Sequence, residues 1–273
     1  MNKKAVLLGV LALAIVYTAC AQQYDSESNF QVSLLDDGKS LEITKYVGKK
    51  QIINIPPRIG GMTVTRIGDN AFEKKEIIKV TIPNSVTAIG AVAFAGNPLT
   101  SITLPKNVTS IDYGALAECT NLTSITIPEG VTSIGDGTFG GCTSLTSITL
   151  PVGVTSIGED AFTLCTSLTS ITIPAGVTSI GDRAFLWCTS ITKITIPASV
   201  TSIGYAAFSS CTSLTSITIP ASVTTVGGVA FYGWTASQTI NVQGKASQAA
   251  ADAAWDTRWR EYCKAKIVYQ GGN

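Results

Sequence analysis

Leu168-Thr169-Ser170-Ile171-Thr172-Ile173-Pro174-Ala175-Gly176-Val177-Thr178-Ser179-Ile180-Gly181-Asp182-Arg183-Ala184-Phe185-Leu186-Trp187-Cys188 is one copy of a unit that recurs along most of the chain. Its proline falls at Pro105, Pro128, Pro151, Pro174, Pro197 and Pro220, each 23 residues after the last. A short unit repeated this strictly cannot bury its own apolar face, so it stacks on its neighbours. The expected product is a solenoid held by contacts between successive coils, an architecture that serves as an extended binding surface. Within the copy, Ile171 and Ile173 alternate with Ser170 and Thr172, the period of two that marks a strand. Val177 and Ile180 supply a second short extended segment, ended by Gly181. Asp182-Arg183-Ala184-Phe185 then forms a turn that returns the Phe185 ring to the interior. Each coil is strand and tight turn with little helix. Eight coils with parallel strands about 4.8 Å apart make a rod of roughly 40 Å.

Outward from this copy the array runs from 56 to 234, with irregular ends. Ile55-Pro56-Pro57-Arg58-Ile59-Gly60-Gly61 lengthens the first loop, and the unit from Pro83 through Phe94 and Asn97 is one residue short. The final copy reads Gly227-Gly228-Val229-Ala230-Phe231. Ahead of the array, 22–55 reads as a polar tether to Asn29 followed by a cap. Phe30–Leu34 and Leu41–Thr44 alternate about Asp36-Asp37-Gly38-Lys39, which predicts a hairpin covering the open end of the first coil. Behind it, 235–273 reads as a second cap. Thr239–Val242 extends the sheet once more. Ala246–Trp259 spaces Ala251, Trp255 and Trp259 four apart and predicts an amphipathic helix, and Ala265–Tyr269 a closing strand. The expected fold is mainly β: a solenoid of about eight coils with an N-terminal hairpin cap and a C-terminal α/β cap.

Composition narrows function. The 273 residues carry a net charge of +1 with 14% charged residues, so the basic footprint of a nucleic-acid binder is missing. There is no histidine, which excludes His-dependent triads and His-ligated zinc. Serine recurs periodically without a base beside it, and no enzyme, catalytic residue, cofactor or metal site is expected. The N-terminus has Lys3 and Lys4, an apolar run from Ala5 to Val16, and then Tyr17-Thr18-Ala19-Cys20. This is the layout of a secretory signal over 1–21. The run is shorter than the roughly 20 residues of a membrane span. Thr18-Ala19-Cys20 resembles a bacterial lipobox, with Tyr17 where Leu is usual; Cys20 would then be the acylated first residue of a membrane-anchored lipoprotein. Ala19-Cys20-Ala21 also fits small-x-small cleavage before Gln22, which yields a secreted chain. Either route exports it, to the outer surface or the periplasm.

Position by position, Leu168-x-x-Ile171-x-Ile173-Pro174 with Val177-x-x-Ile180-Gly181-x-x-Ala184-Phe185-x-x-Cys188 resembles the BspA-like leucine-rich repeat family of bacterial surface proteins. Ile55-Pro56, Gly60-Gly61 and Val64-Thr65 resemble its lead-in repeat. The resemblance covers roughly 30–234 and implies a curved solenoid with parallel strands on its concave side. It also implies surface roles in adhesion to host matrix proteins or other cells, with no cofactor and no reaction. Asp112, Leu116, Thr138, Asn97 and Trp234 depart from the unit and read as packing or turn variation.

Stacking turns each repeat position into a file. Cys119, Cys142, Cys165, Cys188 and Cys211 form one, at the inward position where free thiols act as small hydrophobes. In-register thiols point in parallel and miss disulfide geometry. Phe72, Phe94, Phe139, Phe162, Phe185, Phe208 and Phe231 form a stacked core. Cys263, beside Tyr262, also reads as a buried thiol. Asp136, Glu159 and Asp182 read as turn-capping acids rather than calcium ligands. Asp160 and Arg183 read as an exposed salt bridge worth less than about 1 kcal/mol. The outward rows, such as Ser170 with Thr172, read as a hydrogen-bonding surface, as an ice-ordering array, or as plain strand propensity. Lys193 interrupts one row. Binding specificity is expected where units differ: Tyr113, Leu164, Leu186, Trp187, Tyr205, Tyr232 and Trp234 replace small or polar residues, and exposed aromatics favour binding hot spots. The residues expected to bind are Tyr113, Leu164, Trp187, Tyr205, Lys193 and Thr172. Their partners would be host matrix or cell-surface proteins or glycans. A structural or scaffolding role in the cell envelope is the alternative.

Overall fold

In the computed structural model, which describes residues 23–271, each regular unit makes one three-sided turn. The signal segment and Cys20 lie outside the described residues. On the first side, strands Ser124–Thr126, Ser147–Thr149, Ser170–Thr172 and Lys193–Thr195 run parallel, pairing Ser124 with Ser147 and Ser170 with Lys193. On the second side, Ser133–Ile134, Ser156–Ile157, Ser179–Ile180, Ser202–Ile203 and Thr225–Val226 form another parallel ladder. The corner between them is tight: the Val177 amide donates to Pro174 at 3.1 Å, around a proline whose ring presets the turn. The third side is the return turn. There, alternate amides cross to the next coil, Asp160 to Asp182 at 2.8 Å, Phe162 to Ala184 at 2.9 Å and Leu164 to Leu186 at 2.8 Å. The amides between them close local turns, Thr163 to Asp160 and Cys165 to Phe162, both at 3.1 Å. Every side of the coil thus joins its neighbours through backbone hydrogen bonds, which a buried main chain requires.

The first side carries ten strands, from Ile52–Asn54 through Thr239–Gln243 and Lys266–Gln270, so the solenoid has about ten turns rather than eight. Both flanks continue the ladder: Ile52 pairs with Lys79, Thr239 with Ser216, and Ile240 with Ile267. The C-terminal pair alternates like the other strands but lacks the unit's proline, whereas Ile53-Asn54-Ile55-Pro56 keeps it. The hairpin forms between Phe30–Leu34 and Ser40–Tyr46, and its second strand also pairs in parallel with Met62–Ile67. It is both cap and first rung. Ahead of it the polar stretch is docked rather than a free tether. The Asp25 amide donates to Asn54 at 2.9 Å, and its buried carboxylate accepts the Asn54 amide and pairs with Lys50 at 2.5 Å.

The predicted helix over Ala246–Trp259 is corrected to one short helix, Gln248–Asp252, with Ser247 as its N-cap. Ala251, Trp255 and Trp259 are buried as the spacing implied. Beyond the helix, the backbone serves the last coil instead. The Asp256 amide donates to Val226 at 3.0 Å, while the carbonyls of Arg258 and Tyr262 accept Val229 and Gly233 at 2.8 and 3.3 Å. These amides would otherwise be left unpaired at the solenoid end, so the chain follows them rather than continuing helical.

The interior is built from files. Phe139, Phe162, Phe185, Phe208 and Phe231 stack at 5.4–5.9 Å between centroids and within 10° of parallel. Phe72, Tyr46 and Phe30 finish the stack at the hairpin end. The cysteine file has a second role. Cys142, Cys165, Cys188 and Cys211 donate their thiols at 3.1–3.2 Å to the carbonyls of Leu116, Phe139, Phe162 and Phe185. Asn97 and Trp234 occupy the same file and make the same bond: Asn97 Nδ2 donates to Phe72 at 2.7 Å and Trp234 Nε1 to Phe208 at 2.9 Å. All six described cysteines are free, and Cys263 is half-buried rather than buried. Burial pushes the Cys142 and Cys211 thiols up to about 12, and raises Cys119, Cys165 and Cys188 as well.

Candidate binding surface

The return turn twice forces the chain into the left-handed region, once two residues and once six residues past the unit glycine. At the first position stand Asp160 and Arg183, each with φ of 53°. At the second stand Lys74, Gly96, Glu118, Gly141, Leu164, Trp187, Ser210 and Gly233 in successive turns, all with positive φ. Glycine occupies such a backbone freely, whereas a bulky side chain there is an outlier that costs about 1–2 kcal/mol. Leu164 and Trp187 stand there nonetheless, at φ of 59° and 61°, and are 46% and 49% exposed. About half of each residue's surface thus stands in solvent, at a backbone angle that does not favour it.

Around them the surface is uneven in a defined way. Large side chains lie over glycines of the following turn: a Cβ added to Gly96 would meet Lys74 Cγ at 2.8 Å, one on Gly141 would meet Glu118 Cγ at 3.3 Å, and one on Gly137 would lie 3.6 Å from the Tyr113 ring. Between Tyr113 and Leu164 these glycines and alanines leave a groove of about 500 Å³, bordered by Glu73, Lys74, Glu118 and Asp160. Tyr113 is 62% exposed at its edge.

The structure therefore divides the expected site residues. Tyr113 and Leu164 share the groove, and Trp187 follows Leu164 one turn on in the same file. Tyr205 is exposed in the file of Tyr113, beyond the groove, where its amide donates to Asp182 at 2.7 Å. Thr172 and Lys193 are exposed on the first side, away from this group. Lys193 borders a shallow cleft of about 460 Å³ with Thr195, Ser216 and Thr218, where the hydrogen-bonded ladder is interrupted. Leu186 is half-buried, and Tyr232 is exposed with its ring against Tyr262 at 5.6 Å. Trp234 is buried in the thiol file and belongs to the core.

The acids have structural work. Asp69, Asp136 and Asp182 each accept, through Oδ1, the amide one turn on: that of Ala91 at 2.8 Å, Glu159 at 2.8 Å and Tyr205 at 2.7 Å. They cap the next coil rather than their own turn. Room comes from the glycine just before each amide, since a Cβ on Gly90, Gly158 or Gly204 would lie 2.4–2.5 Å from that oxygen. Among the described residues no group of His, Cys, Asp and Glu is arranged to hold a metal ion. Arg183 bridges Glu159 and Asp160, which raises its pKa, chiefly through the bonds to Asp160. At about one-third exposure this bridge contributes about 1 kcal/mol or less.

One set of bonds was not anticipated. Threonine hydroxyls along the second side donate to the carbonyl of the equivalent threonine one turn earlier: Thr155 to Thr132, Thr178 to Thr155, Thr201 to Thr178 and Thr224 to Thr201, at 3.1–3.3 Å. A second file repeats this at Thr146, Thr169 and Thr192. These positions hold threonine in turn after turn, but so does the outward file of Thr103, Thr126, Thr149, Thr172, Thr195 and Thr218, so residue identity alone does not single them out.

The family described as BspA type leucine rich repeat region matches the chain in six copies, over residues 65–191 and 132–254. No curated protein matches it. Among solved structures, the leucine-rich repeat protein TpLRR of T. pallidum is 27% identical, with a TM-score of 0.55 over 77% of this chain and 89% of that one. A leucine-rich repeat protein from Bacteroides ovatus, 24% identical, has a TM-score of 0.60 over 92% and 72%. The pneumococcal vaccine antigen PcpA, 15% identical with a TM-score of 0.54 over 92% and 88%, has the same fold. The six-copy match, the unit's parallel ladders and its interior files agree, and the chain belongs to the BspA-type leucine-rich repeat family.

Proposed function

We infer that this chain is an exported surface protein whose solenoid binds protein or glycan partners, in adhesion to host matrix or to other cells. A leucine-rich repeat solenoid is typically a non-enzymatic binding scaffold, and its extended side is the working part. One observation carries the reading: Leu164 and Trp187 hold bulky apolar side chains in solvent at left-handed positions where glycine would relieve the backbone. Tryptophan is among the residues enriched in the few positions that supply most of the affinity in protein interfaces, and Leu164 lies beside Trp187 one turn earlier. Family membership supports a surface role, as does the shared fold with a protein described as a vaccine antigen. Acylation of Cys20 would hold the chain at the membrane.

Purified chain should bind within a panel of immobilised matrix proteins and glycans, and Trp187→Gly should weaken that binding without lowering the melting temperature. No binding across the panel would overturn the reading. Recovery of envelope proteins alone from native cells would move the function to scaffolding. Incorporation of labelled palmitate, lost in Cys20→Ala, checks the anchor.

A further inference from the structure

We propose that the return-turn groove between Tyr113 and Leu164 docks a short extended segment of a protein partner bearing arginine or lysine next to an apolar residue. This rests on the surface-binding reading above and names the chemistry of the partner. The groove draws on five successive turns, from Lys74 to Leu164. Four steps of about 4.8 Å make it roughly 19 Å long, the span of about six extended residues at about 3.4 Å each. Small residues, Ala95, Gly96, Ala117, Gly140 and Gly141, line it, with the stems of Lys74 and Glu118 lying over Gly96 and Gly141.

Its charge selects the occupant. Glu73, Glu118 and Asp160 face the groove against Lys74 alone, in a chain whose net charge is +1. Glu73 lies 3.6 Å from Lys74, and Asp160 is bonded by Arg183. Glu118 makes no ion pair among the described residues, and its stem lies over Gly141 in the middle of the groove. The exposed Tyr113 ring, over Gly137 in the same groove, offers a face to a cation. A guanidinium can stack on such a ring while donating to a carboxylate. At the far end the left-handed file changes from Gly141 to Leu164 and then Trp187, an apolar wall for the side chain next to the cation.

The test uses the full chain and a hexapeptide alternating arginine and leucine, beside the same peptide with glutamate for arginine. The arginine peptide should bind, and more weakly as salt shortens the Debye length from about 30 Å at 0.01 M to about 10 Å at 0.1 M. Glu118→Lys should raise Kd about tenfold or more, because it sets like charges together. Tyr113→Ser should raise Kd about two- to fivefold, and Leu164→Gly should weaken binding with the fold intact by thermal melting. Val152→Ser, exposed on another corner, should leave Kd unchanged. Equal binding of the glutamate peptide, no binding of the arginine peptide, or equal losses in Val152→Ser and Glu118→Lys would overturn the proposal. If the arginine peptide fails while the matrix and glycan panel still binds, the groove assignment falls and the surface reading stands. If both fail, both fall.

Discussion

The cysteine file and the left-handed file are both read once per turn, yet residues change along them by different rules. Inside, Asn97 and Trp234 replace cysteine and still donate to the carbonyl that the thiols use elsewhere. Outside, Lys74, Gly96, Glu118, Gly141, Leu164, Trp187 and Ser210 share only a backbone angle, one that disfavours most of them. Carbonyls such as those of Phe162 and Phe208 already accept their own turn's amide, from Cys165 and Cys211, and a buried side-chain donor beside them must find the remaining lone pair, a requirement that survives a change of residue. An exposed position has no such requirement, and identity there is free to answer to a partner. The comparison separates what holds the rod together from what it presents.

Alkaline titration probes the inner file hardest. Its thiols are raised in the folded state, so the stability they contribute is full below the unfolded value near 8.5 and is lost as pH rises towards the folded values, about 12 for Cys142 and Cys211. Each thiol should lower stability by about 1.4 kcal/mol per pH unit in that window. Urea unfolding under reducing conditions from about pH 8 to about pH 10 should fall steeply, with a shallower slope in Cys142→Ser. A pH-independent midpoint would show that the thiols are not sealed in. Next in size, Phe185→Ala interrupts the ring stack at its centre and should cost about 3–5 kcal/mol by chemical denaturation. A loss below about 1 kcal/mol would mean the stack collapses around the gap.

The donor rule itself is tested at Asn97 and Trp234. Asn97 also accepts the amides of Lys75 and Ile77, at 2.9 and 3.1 Å, so Asn97→Ala strands several buried groups and should cost about 2–4 kcal/mol. Trp234→Phe keeps an aromatic ring but a smaller one, and leaves the Phe208 carbonyl with the Cys211 amide alone, at 3.4 Å, so it should cost about 0.5–1.5 kcal/mol for the lost bond, with the lost packing added. If Trp234→Phe were neutral, the agreement among cysteine, asparagine and tryptophan would be one of packing alone. Smallest is the outer file. Leu164→Gly exchanges left-handed strain for the entropy of glycine and should move stability by no more than about 1 kcal/mol. A larger loss by thermal unfolding would place that side chain in the structure rather than on a binding surface.

Much of this molecule was legible because one period governs it. The prolines at 23-residue spacing located the ladders, and the inward Phe and Cys positions located the core files. Legibility failed where backbone bonding, rather than side-chain pattern, directs the chain. Asp25 docks on Asn54 with no apolar signal in sequence, and Asp256 leaves the helical path to pair with Val226. Ile52–Asn54 and Lys266–Gln270 became rungs because an open ladder edge accepts any extended segment that reaches it. On the surface, sequence singled out Tyr113, Leu164 and Trp187 as irregular but could not place Trp234 inside, since a large aromatic suits either setting. It had no means of seeing the small-residue lining that brings Tyr113 and Leu164 into one groove.

The carboxylates of Asp69, Asp136 and Asp182 reach into the turn ahead, where Gly90, Gly158 and Gly204 leave the space. Gly181 and Gly227, which follow Glu159 and Tyr205 one turn on rather than an aspartate, would place a Cβ as close to the preceding backbone, at 2.5 and 2.4 Å, so the glycine belongs to the stacking itself and the aspartates use the space it leaves. The rod can therefore lengthen or shorten by whole glycine-bearing modules without a steric conflict at the new junction, whichever residue the neighbouring module carries at the aspartate position.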